Sequence, residues 1–183
     1  QTGQTTIQAG NLYLSGSGGI SIASSALLST PGPTTLMSSG GEVIWDGASV
    51  SAQGGLTVHG AGLVSGIGAF AKADNYLVVK SESGAINLNQ STFSPFDSSA
   101  SKVRVSVTAP GTIGFASCNW SIPGPINVDS AASDLVGQSA TIDTGPGALP
   151  ISLIAHGLLI DVTGATLVGP VTYGPSGVVV LGP

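Results

Sequence analysis

The chain has 183 residues, enough for one domain with a real core, yet only 7% of it is charged, against roughly 25% in an average soluble domain. Four basic residues, Lys72, Lys80, Lys102 and Arg104, and a net charge of −5 supply no basic stripe, which excludes a nucleic-acid backbone as partner and argues against acidic polysaccharides and anionic lipid surfaces. Ser, Thr, Asn, Gln and 28 Gly stand where charges usually do, and such a surface gives little electrostatic protection against self-association.

Taken in chain order, the first feature is Gln1. Methionine removal normally exposes only small residues, so Gln1 points to signal-peptide cleavage, other proteolysis or a trimmed boundary. Residues 5–15 alternate polar and apolar, with Thr5, Ile7, Leu12 and Leu14 as an expected assembly strand able to pair with a sheet edge in a neighbouring copy. Period-two alternation is plain at 11–15 and 19–23, and returns at 41–45, 55–59 and 84–88. Its cleanest instance is 102–107, with Val103, Val105 and Val107 on one face. Residues 126–128, 140–142, 159–162 and 178–180 carry the pattern to the end. Between these runs stand glycine pairs, Pro31-Gly32-Pro33, Pro123-Gly124-Pro125 and Gly145-Pro146-Gly147, as tight turns require. No window carries a helical stripe with caps, and no run approaches the ~18 apolar residues of a membrane helix.

An all-β fold follows, and two architectures fit it: a β-solenoid of stacked rungs, which the spacing favours, and a β-sandwich or jelly-roll of hairpins. Starts at Gly10, Gly19, Gly40, Gly54 and Gly84 recur at multiples near ten and share a Gly-x-apolar-x-apolar grammar. The grammar is regular over 1–90 and looser over 91–183, which reads as a Pro/Gly-rich continuation, cap or assembly region. Residues 91–101 read as a long loop anchored by Phe93 and Phe96. The segment 10–24, Gly-Asn-Leu-Tyr-Leu-Ser-Gly-Ser-Gly-Gly-Ile-Ser-Ile-Ala-Ser, resembles the repeats of filamentous-haemagglutinin-type surface adhesins, loosely as far as Leu88. That resemblance implies a right-handed parallel β-helix on a cell surface. The Asn-Pro-Asn motifs of that family's secretion domain are absent.

Candidate chemistry is sparse. His59 and His156 each precede a glycine, and no Gly-x-Ser-x-Gly elbow accompanies them. Glu42 and Asp46 are the nearest acidic pair, placed on one face if the strand between them is straight. No His-x-x-x-His, cysteine pair or calcium-loop spacing occurs, so no metal or cofactor is expected. The single thiol, Cys118, reads as a small core residue beside Phe115 and Trp120. Asn89 and Asn119 open N-x-S/T sequons and are the candidate glycosylation sites. Tyr13 and Trp45 lie in apolar runs and are expected in the core. At the far end Val178, Val179, Val180 and Leu181 form a second expected assembly strand.

These observations lead to a non-enzymatic, secreted or surface-displayed structural protein whose main partners are copies of itself. The runner-up is an adhesin, tail or decoration module that binds neutral glycan or a virion or cell surface. A polysaccharide-degrading β-helix enzyme is the third reading.

Overall fold

The computed structural model describes residues 5–97, 103–175 and 177–182. Gln1, Lys102, Pro183 and residues 98–101 of the expected loop lie outside the described residues.

Every described strand is short, and every pairing between strands is parallel. The first coil is β1 (Thr6–Gln8), β2 (Leu12–Gly16) and β3 (Ile20–Ser21). The second is β4 (Leu27–Thr30), β5 (Pro33–Ser38) and β6 (Val43–Ile44). The third is β7 (Ser49–Ala52), β8 (Gly55–Gly60) and β9 (Val64–Ser65). The fourth is β10 (Phe70–Ala73), β11 (Tyr76–Ser81) and β12 (Ile86–Asn87). The fifth is β13 (Thr92–Ser94), β14 (Arg104–Ala109) and β15 (Ile113–Gly114). The sixth is β16 (Asn119–Ser121), β17 (Ile126–Ser130) and β18 (Leu135–Val136). The seventh is β19 (Thr141–Asp143), β20 (Ile151–Ala155) and β21 (Leu159–Asp161). The eighth is β22 (Thr166–Val168), β23 (Val171–Tyr173) and β24 (Val178–Val180).

The first strands of all coils form one 8-stranded parallel sheet, the second strands another and the third strands a third. This is a β-solenoid of about eight coils, and the hairpin sandwich is excluded because it needs antiparallel neighbours. Alternation places one residue in two inside, and the register then stacks like upon like. In the first sheet Ile7, Leu28, Val50, Ala71, Phe93, Trp120, Ile142 and Leu167 form one inward column. In the third sheet Ile20, Val43, Val64, Ile86, Ile113, Leu135, Ile160 and Val179 form another. Trp45, Phe93, Trp120 and Phe115 are fully buried and follow one another through the core, with successive ring centroids 6.4, 4.8 and 5.6 Å apart.

The three corners have different chemistry. From third sheet to first, the chain turns through a tight loop closed by an N–H donated to the carbonyl three residues back. Examples are Ala48 to Trp45, Ala69 to Gly66, Cys118 to Phe115, Ala140 to Gly137 and Ala165 to Val162. The residue before each of these donors has positive φ: Gly47, Gly68, Ser117, Ser139 and Gly164, at 54–66°, a backbone that glycine enters most cheaply. From second sheet to third, the buried hydroxyls of Ser81 and Ser130 accept from the N–H of Gly84 and Ser133. They donate to the carbonyls of Gly62 and Gly111 in the coil before. The corner from first sheet to second is the variable one. Six residues carry the chain from Val50 to Leu56 and from Trp120 to Ile126, but twelve from Phe93 to Val105 and nine from Ile142 to Ile151.

The structure revises three expectations, and it agrees with the continuation that is one reading of 91–183. The repeat is a coil of 21 or 22 residues, as Thr6 to Leu27 and Leu27 to Ser49 illustrate, lengthened to 27 from Phe93 to Trp120 and 25 from Ile142 to Leu167. The spacing near ten arose because Gly10 and Gly54 sit at one corner while Gly19, Gly40 and Gly84 sit at another. Residues 91–101 are not a loop throughout, since Thr92–Ser94 is a strand with Phe93 in the core and Phe96 substantially exposed. Tyr13 points outward and is 62% exposed, because Leu12 and Leu14 take the inward positions of β2. The same three sheets run unbroken past residue 90.

Candidate functional site

The ionisable side chains are dispersed along the coils. His59 Nε2 lies 2.7 Å from Glu82 Oε1, and Lys80 Nζ donates to the same oxygen at 2.8 Å. The Lys80 and His59 hydrogen bonds hold the Glu82 carboxyl below its ordinary range on an open surface. His156 is 3.9 Å from Asp129. Glu42 and Asp46 do not share a strand face: β6 ends at Ile44, and Asp46 sits in the following turn. There it accepts from Ser65 Oγ at 2.7 Å and Ile67 N–H at 2.8 Å. Asp161 serves its own corner similarly, accepting from the Thr163 hydroxyl and N–H and from Gln138, which together lower its pKa. Cys118 is buried, and desolvation pushes its thiol up to about 12. Among the described residues no three His, Cys, Asp or Glu side chains converge. Asn89 Oδ1 accepts from Ala116 N–H at 2.7 Å and so is built into the stack, whereas Asn119 points outward from the first sheet.

The two ends of the solenoid are where the expected assembly residues fall. Thr5 gives its carbonyl to Leu27 N–H, Ile7 faces inward from β1, and Leu12 and Leu14 face inward from β2. Val178, Val179 and Val180 form β24, and Leu181 follows it. Each terminal strand pairs within its own chain along one edge, β1 with β4, β2 with β5 and β24 with β21. The opposite edge of each has no partner among the described residues.

Inward side chains of interior coils are sealed by the coils above and below, but those of the first and last coils are only half-buried: Ile7, Leu12, Leu14 and Ile20 at one end, Leu167, Val171 and Val179 at the other. Large apolar side chains are also open around the last coil, with Leu158 79%, Leu181 65% and Val178 55% exposed. Neither end carries charge. No Asp, Glu, Lys, Arg or His precedes Glu42 or follows Asp161. An exposed edge is ordinarily blunted by just such residues. The expected strands fall at the two ends of the solenoid, where Ile20, Leu158, Leu167, Val171 and Tyr173 also lie. The charge-free first 41 and last 22 residues are the signal that would have found them.

Comparison with protein-family models, with curated proteins and with solved structures found no match for this chain.

Proposed function

We propose that the protein is a non-enzymatic structural rod, secreted or surface-displayed, that lengthens by stacking copies end to end. The observation that carries this reading is the pair of apolar ends that bear no charged side chain and whose outer strand edges have no partner among the described residues. Both ends expose the same kind of surface that joins successive coils inside the chain. Because every ladder is parallel, a second copy continues the three sheets only head to tail. Such a contact is heterologous and does not close, so it yields a polar filament. Eight coils at the usual ~4.8 Å strand spacing give an axial repeat of about 38 Å. The adhesin-like segment 10–24 supplies β2 and β3 of the first coil, and its resemblance favours surface display.

The test uses two single-end variants, Leu14→Lys and Val179→Lys, each placing an ammonium at an inward position of one terminal coil. Electron microscopy and sedimentation velocity of the unaltered chain are expected to give thin filaments that lengthen with concentration. Each variant alone should stay monomeric with an unchanged β circular-dichroism spectrum. An equimolar mixture should stop at dimers, since each variant retains one intact end. A wild-type chain that remains monomeric at high micromolar concentration would sink the proposal.

A further inference from the structure

The corner from first sheet to second varies in length, while the corner from third to first keeps seven residues from Val64 to Ala71, Ile86 to Phe93 and Ile113 to Trp120. In stacked-repeat folds, insertions confined to one side mark the face that meets a ligand. Along this corner runs a groove of about 440 Å³, lined by Asn75, Tyr76, Arg104, Pro125 and Leu149, within the ~300–1,000 Å³ of small-ligand sites. A second hollow of about 290 Å³ adjoins it, sharing Arg104 and Pro125 and adding Ser106, Asn127 and Ser152.

The residues are stacked by register. Tyr76 pairs with Arg104, and Ser106 with Asn127, which pairs with Ser152. Tyr76 lies against the backbone of Gly55, where an added Cβ would come within 2.7 Å of the ring. Asn75 is tied to Gly54 through a 2.9 Å hydrogen bond to its carbonyl. Arg104 is the chain's one arginine, and it is exposed. Neither its guanidinium nor the Tyr76 hydroxyl has a hydrogen-bonding or ionic partner among the described residues. The acids bordering this corner have partners of their own: Asp74 accepts from Asp97 N–H and Asp143 from Gly145 N–H, and Asp97 is itself engaged.

We propose that this groove binds an oligosaccharide through one carboxylate-bearing sugar, with Arg104 gripping the carboxylate and Tyr76 stacking on a ring. A guanidinium fork matches a carboxylate bidentately, and a tyrosine face offers a rigid apolar platform with a polar tip. Ser106, Asn127 and Ser152 present hydroxyl and amide groups at successive coils, suited to sugar hydroxyls. Arg104 is the one cation among the described residues that line the groove, which suits one carboxylate and not a polyanion. An extended peptide is disfavoured, because strand addition needs a free edge, and β11, β14, β17 and β20 are paired on both sides.

The test is a chemical-shift titration of the isotopically labelled chain with three probes that each carry one carboxylate: a galacturonosyl-rhamnose disaccharide, a glucuronosyl-glucose disaccharide and sialyllactose. At least one is expected to bind in the millimolar range or tighter, shifting the amides of Tyr76, Arg104 and Asn127. Its methyl ester and the Arg104→Gln chain should each bind about tenfold more weakly or worse. Arg104→Lys should recover only part of the loss, and Lys72→Gln should change nothing. The proposal fails if none of the three probes shifts those amides, if ester and acid bind equally, or if Arg104→Gln leaves binding intact. It fails equally if a proline-rich peptide occupies the groove more tightly than every probe. Leu14→Lys should leave sugar binding unchanged, which separates this site from end-to-end assembly.

Discussion

Replacing Trp120 by alanine tests whether the stacked interior holds the solenoid together. The indole is fully buried, 4.8 Å from Phe93 and 5.6 Å from Phe115 by ring centroids, and its Nε1 donates to Ser91 Oγ at 3.0 Å. The hole cannot close by sliding coils together, because β16 is fixed by ladders to β13 and β19. A large-to-small change at such a site costs about 3–5 kcal/mol. The Ser91 hydroxyl, itself fully buried, loses its donor and adds about 1 kcal/mol. With a urea slope of ~2 kcal/mol per molar, the unfolding midpoint of Trp120→Ala should fall by about 2–3 M, followed by far-ultraviolet circular dichroism. Because each coil touches only its neighbours, amide exchange should quicken most in β13, β16 and β19 and least in β1–β3. A loss under ~1 kcal/mol, or uniform quickening along the chain, would refute the reasoning.

Two further changes probe the corners. In Gly137→Ala the new Cβ would stand 2.0 Å from Phe115 Cε2, and that ring is fully buried against Trp120. Such overpacking should cost about 1–3 kcal/mol in denaturant titration, while Gly18→Ala, with nothing within 4 Å of its Cβ, should be near neutral. Cys118 tests linkage: the unfolded thiol ionises near its ordinary value of 9.0, whereas burial raises the native one to about 12. The native state therefore holds the proton more tightly, so stability should fall as pH rises through this window. Cys118→Ala should flatten that alkaline decline in Tm relative to the unaltered chain, and an equally steep decline would contradict it.

Much of the fold was legible because a solenoid writes its inward column as period-two alternation. Val103, Val105 and Val107 are buried as their spacing predicted, and the strand at 55–59 is the core of β8. What hid was the length of the coil. Glycines occur at all three corners for different reasons, so counting glycines mixed the corners. The true period lies in the turn where a left-handed residue precedes a small one: Gly47-Ala48, Gly68-Ala69, Ser139-Ala140 and Gly164-Ala165. Serine at 117 and glutamine at 90 fill the same left-handed position, and these substitutions conceal the repeat from a search for glycine. Tyr13 misled for another reason. In a strand of leucine-tyrosine-leucine the parity is set by neighbours two residues away, not by the hydrophobicity of the residue itself. The groove was illegible because Tyr76 and Arg104 are 28 residues apart and meet only through register across a lengthened corner.

The distribution of charge along the axis links the fold to its proposed assembly. Within the chain, adjacent coils are joined by three parallel ladders and a layer of inward apolar side chains. Among the described residues the first and last coils have that contact on one side alone. A copy placed on the other side gains the same ladders and the same apolar layer, less the loss of translational and rotational freedom on association. Charged side chains, all between Glu42 and Asp161, are absent from the two terminal coils and so do not meet face to face at this contact. They do oppose contact between the sides of two rods, where Glu82, Asp129 and Asp143 lie outward on the sheets or their rims. The net charge of −5 therefore guards the flanks and leaves the ends free. In the proposed assembly, growth follows the axis because charge is missing at the ends as much as because apolar surface is present.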